Sequence, residues 1–318
     1  EILRARLAPR DNPFPDGRPP NLDDVVFLAA AITRLVIDPY REDCTMRTAI
    51  GQSLALEQPF LFTGFDDAPA EIRQALAQVL KSTGCASIGL NPLAEGVPWL
   101  QLVIPGKNKP DARAAGLIHV VGSVFRAVAS ERLSDGQLLG IAAAAPALAN
   151  AIPYALERGF DFILLDGTRG IEISGAELEG GYNLAVMRDA IRILRSLNRE
   201  ESLRLFYYGG LRTGTDVAKV LGMNCNAGIF SAAMGFALGG VVRDGRLWFD
   251  ENGGPEEAAA AARNWIKAAS QEAAIIARCA GKTNVHNLEP EDMRAITLAT
   301  SKAMGIPLAA GRGARDYF

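Results

Sequence analysis

In residues 205–230, LFYYGGLRTGTDVAKVLGMNCNAGIF, a run of aromatic and apolar residues enters Gly209 and Gly210, and Leu211, Arg212, Gly214, Asp216 and a helical stretch follow. Adjacent glycines let a backbone approach a ligand with no Cβ in the way, and free amides at the following helix start can point at an anion. One unit later, residues 227–230 run into Ser231, Ala232 and Ala233, small residues that open another helix. Two such loops on neighbouring late strands form the phosphate cradle of β/α barrels. A glycine pair alone does no more than turn a strand into a helix. The combination of the GGLRTG loop, the helix containing Asp216 and the second small-residue loop points instead to capture of a phosphate dianion.

Acid–base candidates lie upstream. Asp166 closes an apolar run, at the strand end where barrel active sites gather. Glu172 and Glu177 follow in the next loop, where a carboxylate is usually just solvated. His119, inside GLIHVVGSVF, reads as a buried, hydrogen-bonded histidine, and His286 as part of the turn entering the last helix. Cys44, Cys85, Cys225 and Cys279 are widely spaced with no CxxC pair, which argues against a zinc knuckle or a contiguous iron–sulfur loop. They read as small buried hydrophobes of a reducing, cytoplasmic compartment, and no metal site is expected.

The elements that position these groups alternate. Short apolar runs at 59–63, 86–90, 100–104, 137–142, 161–166, 203–208 and 227–230 are candidate strands, and 68–81, 145–158, 184–196 and 215–221 are candidate helices. This is the pattern of parallel β/α units, and it predicts a TIM (β/α)8-type barrel over 46–250, incomplete or degenerate at seven visible strands. A doubly wound open sheet would give similar local patterns. Before it, the proline cluster RDNPFPDGRPP reads as an irregular arm, and NLDDVVFLAAAITRLVI as a helix capped by Asn21, together residues 1–45. After it, 251–318 reads as a helical appendage: an alanine-rich helix from Pro255, then a helix through EPEDMRAITLATSKAMG stopped by Gly305 and Pro307.

The 33 basic and 36 acidic residues leave a formal charge of −3, too little field to recruit nucleic acid or an anionic membrane. The longest apolar run, 138–152, contains Pro146 and falls short of the roughly 20 residues of a membrane span. No signal-peptide pattern is visible, and the start at Glu1 rather than methionine leaves room for a preceding segment.

From FILLDGTRG to FYYGGLRTGTDVAKVLGMNCNAGIFSAAMGFALGG the chain resembles the FMN-binding domain of glutamate synthases and the related glutamate-synthase-like proteins. RTAIGQSLALEQPFLFTGFDDAP looks like the family's first barrel strand and its approach, and KTNVHNLEPEDMRAITLAT like its helical tail. The resemblance implies an FMN phosphate bound at Gly209, Gly210, Leu211 and Arg212 on one loop and at Ser231 and Ala232 on the next. It further implies reduction of an imine, formed from a 2-oxo acid and an amine, by the reduced flavin. LVIPGKNKP echoes the substrate-side segment and makes Lys109 a candidate beside Asp166 and Glu172.

The sequence also departs from the family. Ala142 and Ala143 stand where a lysine is expected on the strand before the DG motif, and so remove a fixed cation. Ile171 and Glu172 replace a bare glycine run, Val103 and Gly106 replace a lysine and a glutamine, and ALGGVVRDGRLWFD replaces the cysteines of an iron–sulfur cluster. These losses keep two alternatives open beside the flavin oxidoreductase: a non-catalytic scaffold or regulatory subunit that binds a phosphorylated ligand, and a flavin-free barrel enzyme acting on one. The alanine-rich tail and AAMGFALGG fit a homo-oligomer or a partner subunit.

Overall fold

The computed structural model describes residues 18–30, 41–51, 53–249 and 254–309. Strand β1 (Val25–Phe27) is followed by a hairpin of β2 (Thr48–Ile50) and β3 (Leu54–Leu56). Eight parallel strands then close into a barrel: β4 (Phe60–Phe62), β5 (Ala86–Gly89), β6 (Trp99–Val103), β7 (Gly116–Gly122), β8 (Leu138–Ala144), β9 (Phe162–Asp166), β10 (Arg204–Tyr208) and β11 (Ala227–Phe230). Closure is made by β11 pairing with β4, Gly228 opposite Phe60. A second hairpin, β12 (Gly240–Arg243) and β13 (Arg246–Phe249), follows, and β14 (Met293–Ala295) pairs antiparallel with β1.

The strands are apolar on both faces because both are covered. Phe162, Leu164, Phe206 and Tyr208 point into the barrel, while Ile163, Leu165, Leu205 and Tyr207 pack against the helices. Gly140 is required by this filling: a Cβ there would lie 2.1 Å from the Phe162 ring, which sits 4.7 Å from Phe206. Ile50, Leu54 and Leu56 of the first hairpin join the interior cluster and stopper the end where the strands begin.

The helices are α1 (Ala70–Thr83), α2 (Leu148–Glu157), α3 (Ala185–Ser196), α4 (Gly214–Gly222), α5 (Ala232–Ala237), α6 (Pro255–Cys279) and α7 (Leu298–Met304). Helix α6 packs between α1 and α4 and so takes the place of the last helix of the outer ring. Pro255 occupies its first turn with Glu256 and Glu257, and a stripe of alanines from Ala258 to Ala277 is buried. The small stripe permits backbone contact: a Cβ on Gly214 would lie 1.8 Å from the Ala269 carbonyl oxygen.

Several expectations need correction. The barrel is complete in its strands. The eighth is β7, GLIHVVG around His119, which is not among the seven expected strands. It is degenerate in its helices, for among the described residues the connections after β5, β6 and β7 contain none. No helix starts at Asn21: its side chain caps a single 3-10 turn, Leu22–Asp24, and the β-branched pair Val25 and Val26 enters β1 instead. The remainder of that expected helix, from residue 31, and the arm up to residue 17 lie outside the described residues. The expected tail helix is divided into a 3-10 turn at Pro290–Asp292, strand β14 and α7, because β1 offers β14 a pairing edge. Among the described residues no helix is long and apolar enough to cross a membrane.

Candidate functional site

Two loops leave adjacent strands side by side. After β10, Gly209 and Gly210 turn the chain, with Gly210 in the left-handed region at φ +68°, and Thr213 caps α4 by accepting from the Asp216 amide. After β11, Ser231 leads directly into α5. The amides of Gly210, Ser231 and Ala232 converge, and the Leu211 backbone joins them. What they converge on is a side chain. Glu177 Oε1 accepts from Gly210 N at 3.0 Å, and Oε2 accepts from Ala232 N at 2.7 Å and Ser231 N at 3.2 Å.

Glu177 sits in a 3-10 turn, Ala176–Glu179, within the long connection between β9 and α3. It is 3% exposed. Burial outweighs the amide bonds and pushes its carboxyl up to about 7. Tyr182 donates its hydroxyl to the Glu177 carbonyl, and its ring lies against Gly210, where a Cβ would come within 2.0 Å of it. The expectation that Glu177 is a solvated loop carboxylate is therefore corrected, and Tyr182 is a site residue that sequence reasoning missed. Glycines on both sides of GAELEGG marked the loop, but nothing in it marked which acid turns inward.

The other candidates separate clearly. Gly209, Gly210, Leu211, Ser231 and Ala232 lie on the two adjacent loops after β10 and β11. Arg212 is not in the cradle: its guanidinium bonds Asp23 at 2.5 Å and the buried Asp216 at 3.2 Å, tying the 18–24 segment to α4. Asp166 is buried and accepts from Thr168 N, Thr168 Oγ1 and Ile171 N at 2.6–2.8 Å, so it holds the start of the β9–α3 connection. Burial raises its carboxyl despite those bonds. Lys109 is exposed and offers only its carbonyl, to Gln101, whereas Lys107 faces the barrel mouth. His119 is buried against Phe160, but its Nε2 has no partner, so the expected hydrogen bond is not found on that nitrogen.

Glu172 also reaches the mouth, and burial raises its carboxyl. The mouth is narrow, about 70 Å³, with Thr63, Asp66, Lys107, Ile171, Glu172 and Tyr208 on its walls. Ile171 packs into the barrel interior, so the bulk foreseen there is real. A wider cavity of about 320 Å³ reaches Glu177 from beside the second hairpin, between Gly64, Pro69, Ser174, Leu178 and Trp248. The amide donors suit phosphate oxygens, and in this structure Glu177 takes them. Among the described residues no group of three histidine, cysteine or carboxylate side chains is placed to hold a metal.

No family model matches the chain. A glutamate synthase large subunit-like protein of Rhizobium meliloti (strain 1021) is 26% identical over 387 aligned positions, covering 91% of this chain and 88% of that protein. Among solved structures, a flavocytochrome b2 variant with benzoylformate superposes with a TM-score of 0.57 at 15% identity, over 89% of this chain and 78% of that one. A mandelate oxidase variant with a monooxide FMN adduct superposes with a TM-score of 0.59 at 14% identity, over 86% and 89%. Identities this low carry the fold and nothing finer, and the barrel is the fold they share. The chain is thus similar along most of its length to a glutamate synthase large subunit-like protein, and its fold is a closed TIM barrel.

Proposed function

We propose that this protein is an FMN-binding, glutamate-synthase-like oxidoreductase or oxidoreductase subunit acting in amino-acid or amine nitrogen metabolism. The carrying observation is the convergence of amides from Gly210, Leu211, Ser231 and Ala232 on a single anionic group across two neighbouring late strands. Those amides would hold the phosphate, four neutral donors directed at one oxyanion. Bound flavin would supply the redox chemistry, and the chain's part is to seat it and shape the mouth. Lys107 is the cation that lines that mouth, and Glu172 a raised carboxyl beside it able to carry a proton. The name of the Rhizobium meliloti relative, glutamate synthase large subunit-like protein, supports the assignment.

A second reading, a barrel that binds a phosphorylated ligand without turnover, is favoured by Ala142, which leaves β8 without its cation, and by Ile171 inside the mouth. A cytoplasmic location and assembly with itself or a partner subunit belong to either reading. Exposed Phe236, Val241, Val242 and Trp248 around the second hairpin give such an assembly an apolar contact.

The test is titration of the purified full chain with FMN, followed by quenching of flavin fluorescence. Saturable uptake at one site per chain is expected. A folded sample that takes up no FMN refutes the flavin reading.

A further inference from the structure

We propose that Glu177 is an internal surrogate for the ligand's phosphate: the cradle holds either its carboxylate or the phosphate, and ligand entry requires the segment 167–184 to leave the barrel mouth. This deepens the reading above and rests on it for the identity of the natural ligand. The competition itself rests on the geometry of the cradle.

Three observations carry it. First, the two Glu177 oxygens already take the amides of Gly210, Ser231 and Ala232 at 2.7–3.2 Å, and a second anion cannot share those donors. Like charges at that separation repel in a buried site, where Coulomb energies are several times larger than in water. Second, apart from that seat and the Asp166 bonds to Thr168 and Ile171 at its start, the segment is weakly anchored. Between Thr168 and Asn183 the buried side chains are Ile171, Ala176 and Glu177, while Ile173, Ser174, Glu179, Gly180 and Gly181 are exposed. A few apolar contacts and an ion seat are the profile of a locally opening unit. Third, the segment has somewhere to bend and room to move. Gly180 and Gly181 both have left-handed φ of 70–71°, with no atom within 4 Å of where a Cβ would be, so no packing fixes them. The cavity of about 320 Å³ beside Glu177 adjoins the same stretch.

A dianion that makes the same amide bonds with more charge can outcompete one carboxylate. A ligand without a phosphate or similar dianion cannot. The segment thus selects for phosphate-bearing ligands and shuts the mouth in their absence. The apparent affinity is lowered by the fraction of molecules whose seat is closed.

The experiment compares the full-length protein with Glu177→Ala, using inorganic phosphate and FMN as separate probes in calorimetric titrations. Removing the carboxylate should tighten phosphate binding at least tenfold. In the wild-type protein, saturating FMN or phosphate should speed trypsin cleavage after Arg169, whose side chain pairs with Glu179 in the seated segment. This second measurement decides the matter if the alanine variant does not fold. Equal phosphate affinities in the two proteins, or ligand binding that leaves cleavage after Arg169 unchanged, would overturn the proposal. If phosphate binds more tightly to the variant while FMN binds to neither protein, the surrogate role stands and the flavin reading falls. If neither probe binds either protein, both fall.

Discussion

Glutamine at position 177 should abolish a specific part of the pH dependence of stability. The Glu177 carboxyl is held at about 7 in the folded protein against an ordinary 4.5, because burial penalises its charged form more than the amides reward it. The native state therefore binds this proton more tightly than the unfolded chain does. The stabilisation is complete below about pH 4.5, falls as pH rises, and is lost above about pH 7, a difference of about 3 kcal/mol. The groups facing Glu177 do not obscure this. Tyr182 and Tyr208 are themselves raised and stay protonated, and Arg212 is turned to Asp23 and Asp216. Asp166 and Glu172 titrate in both proteins and cancel in the comparison. Urea denaturation at pH 5 and pH 8 should show the wild-type protein losing about 3 kcal/mol more than Glu177→Gln across that interval. The variant should start lower at pH 5, because its amide NH2 faces amide donors. Equal losses in the two proteins would mean that the carboxylate is not seated in the cradle, and the reasoning from burial would fail.

Gly210→Ala should cost about 3 kcal/mol or more, from the left-handed backbone and the overlap with the Tyr182 ring. Tyr182→Ala in the same chain should return part of that loss, and urea midpoints of the double-mutant set check it. Gly214→Ala should be at least as damaging, because its Cβ would meet the Ala269 backbone rather than a movable side chain. A melting temperature within a degree of wild type would exclude that contact. Asp23→Ala should cost under about 1 kcal/mol, its pair with Arg212 being solvent-exposed and screened. Arg212→Ala should leave inorganic phosphate affinity within twofold of wild type in titration calorimetry, since the guanidinium faces Asp23 and Asp216 and not the cradle.

What the sequence made legible was local. The glycines and small residues of the two cradle loops declare their backbone geometry within a few residues, and the cradle is where they indicated. Seven of the eight barrel strands show as apolar runs for the same reason, burial on both faces. β7 escaped because a histidine breaks its apolar run and no helix flanks it. The N-terminal helix failed where a non-local partner intervened: Asn21 caps as its type suggests, but β14, far along the chain, draws Val25–Phe27 into a ladder. Arg212 illustrates the same limit, since its charge suited a phosphate until Asp23 supplied a nearer carboxylate from 189 residues away.

Glu177 is the most consequential case. Its partners lie 33, 54 and 55 residues downstream, and no periodicity or motif links an acid to amides at that distance. Composition suggested a solvated carboxylate because most loop glutamates are solvated. The exception needs compensation, and the amides of the two cradle loops supply part of it. Its presence here shows that the amides of the two loops can take up an oxygen pair of the chain's own, whatever the likeness to other proteins.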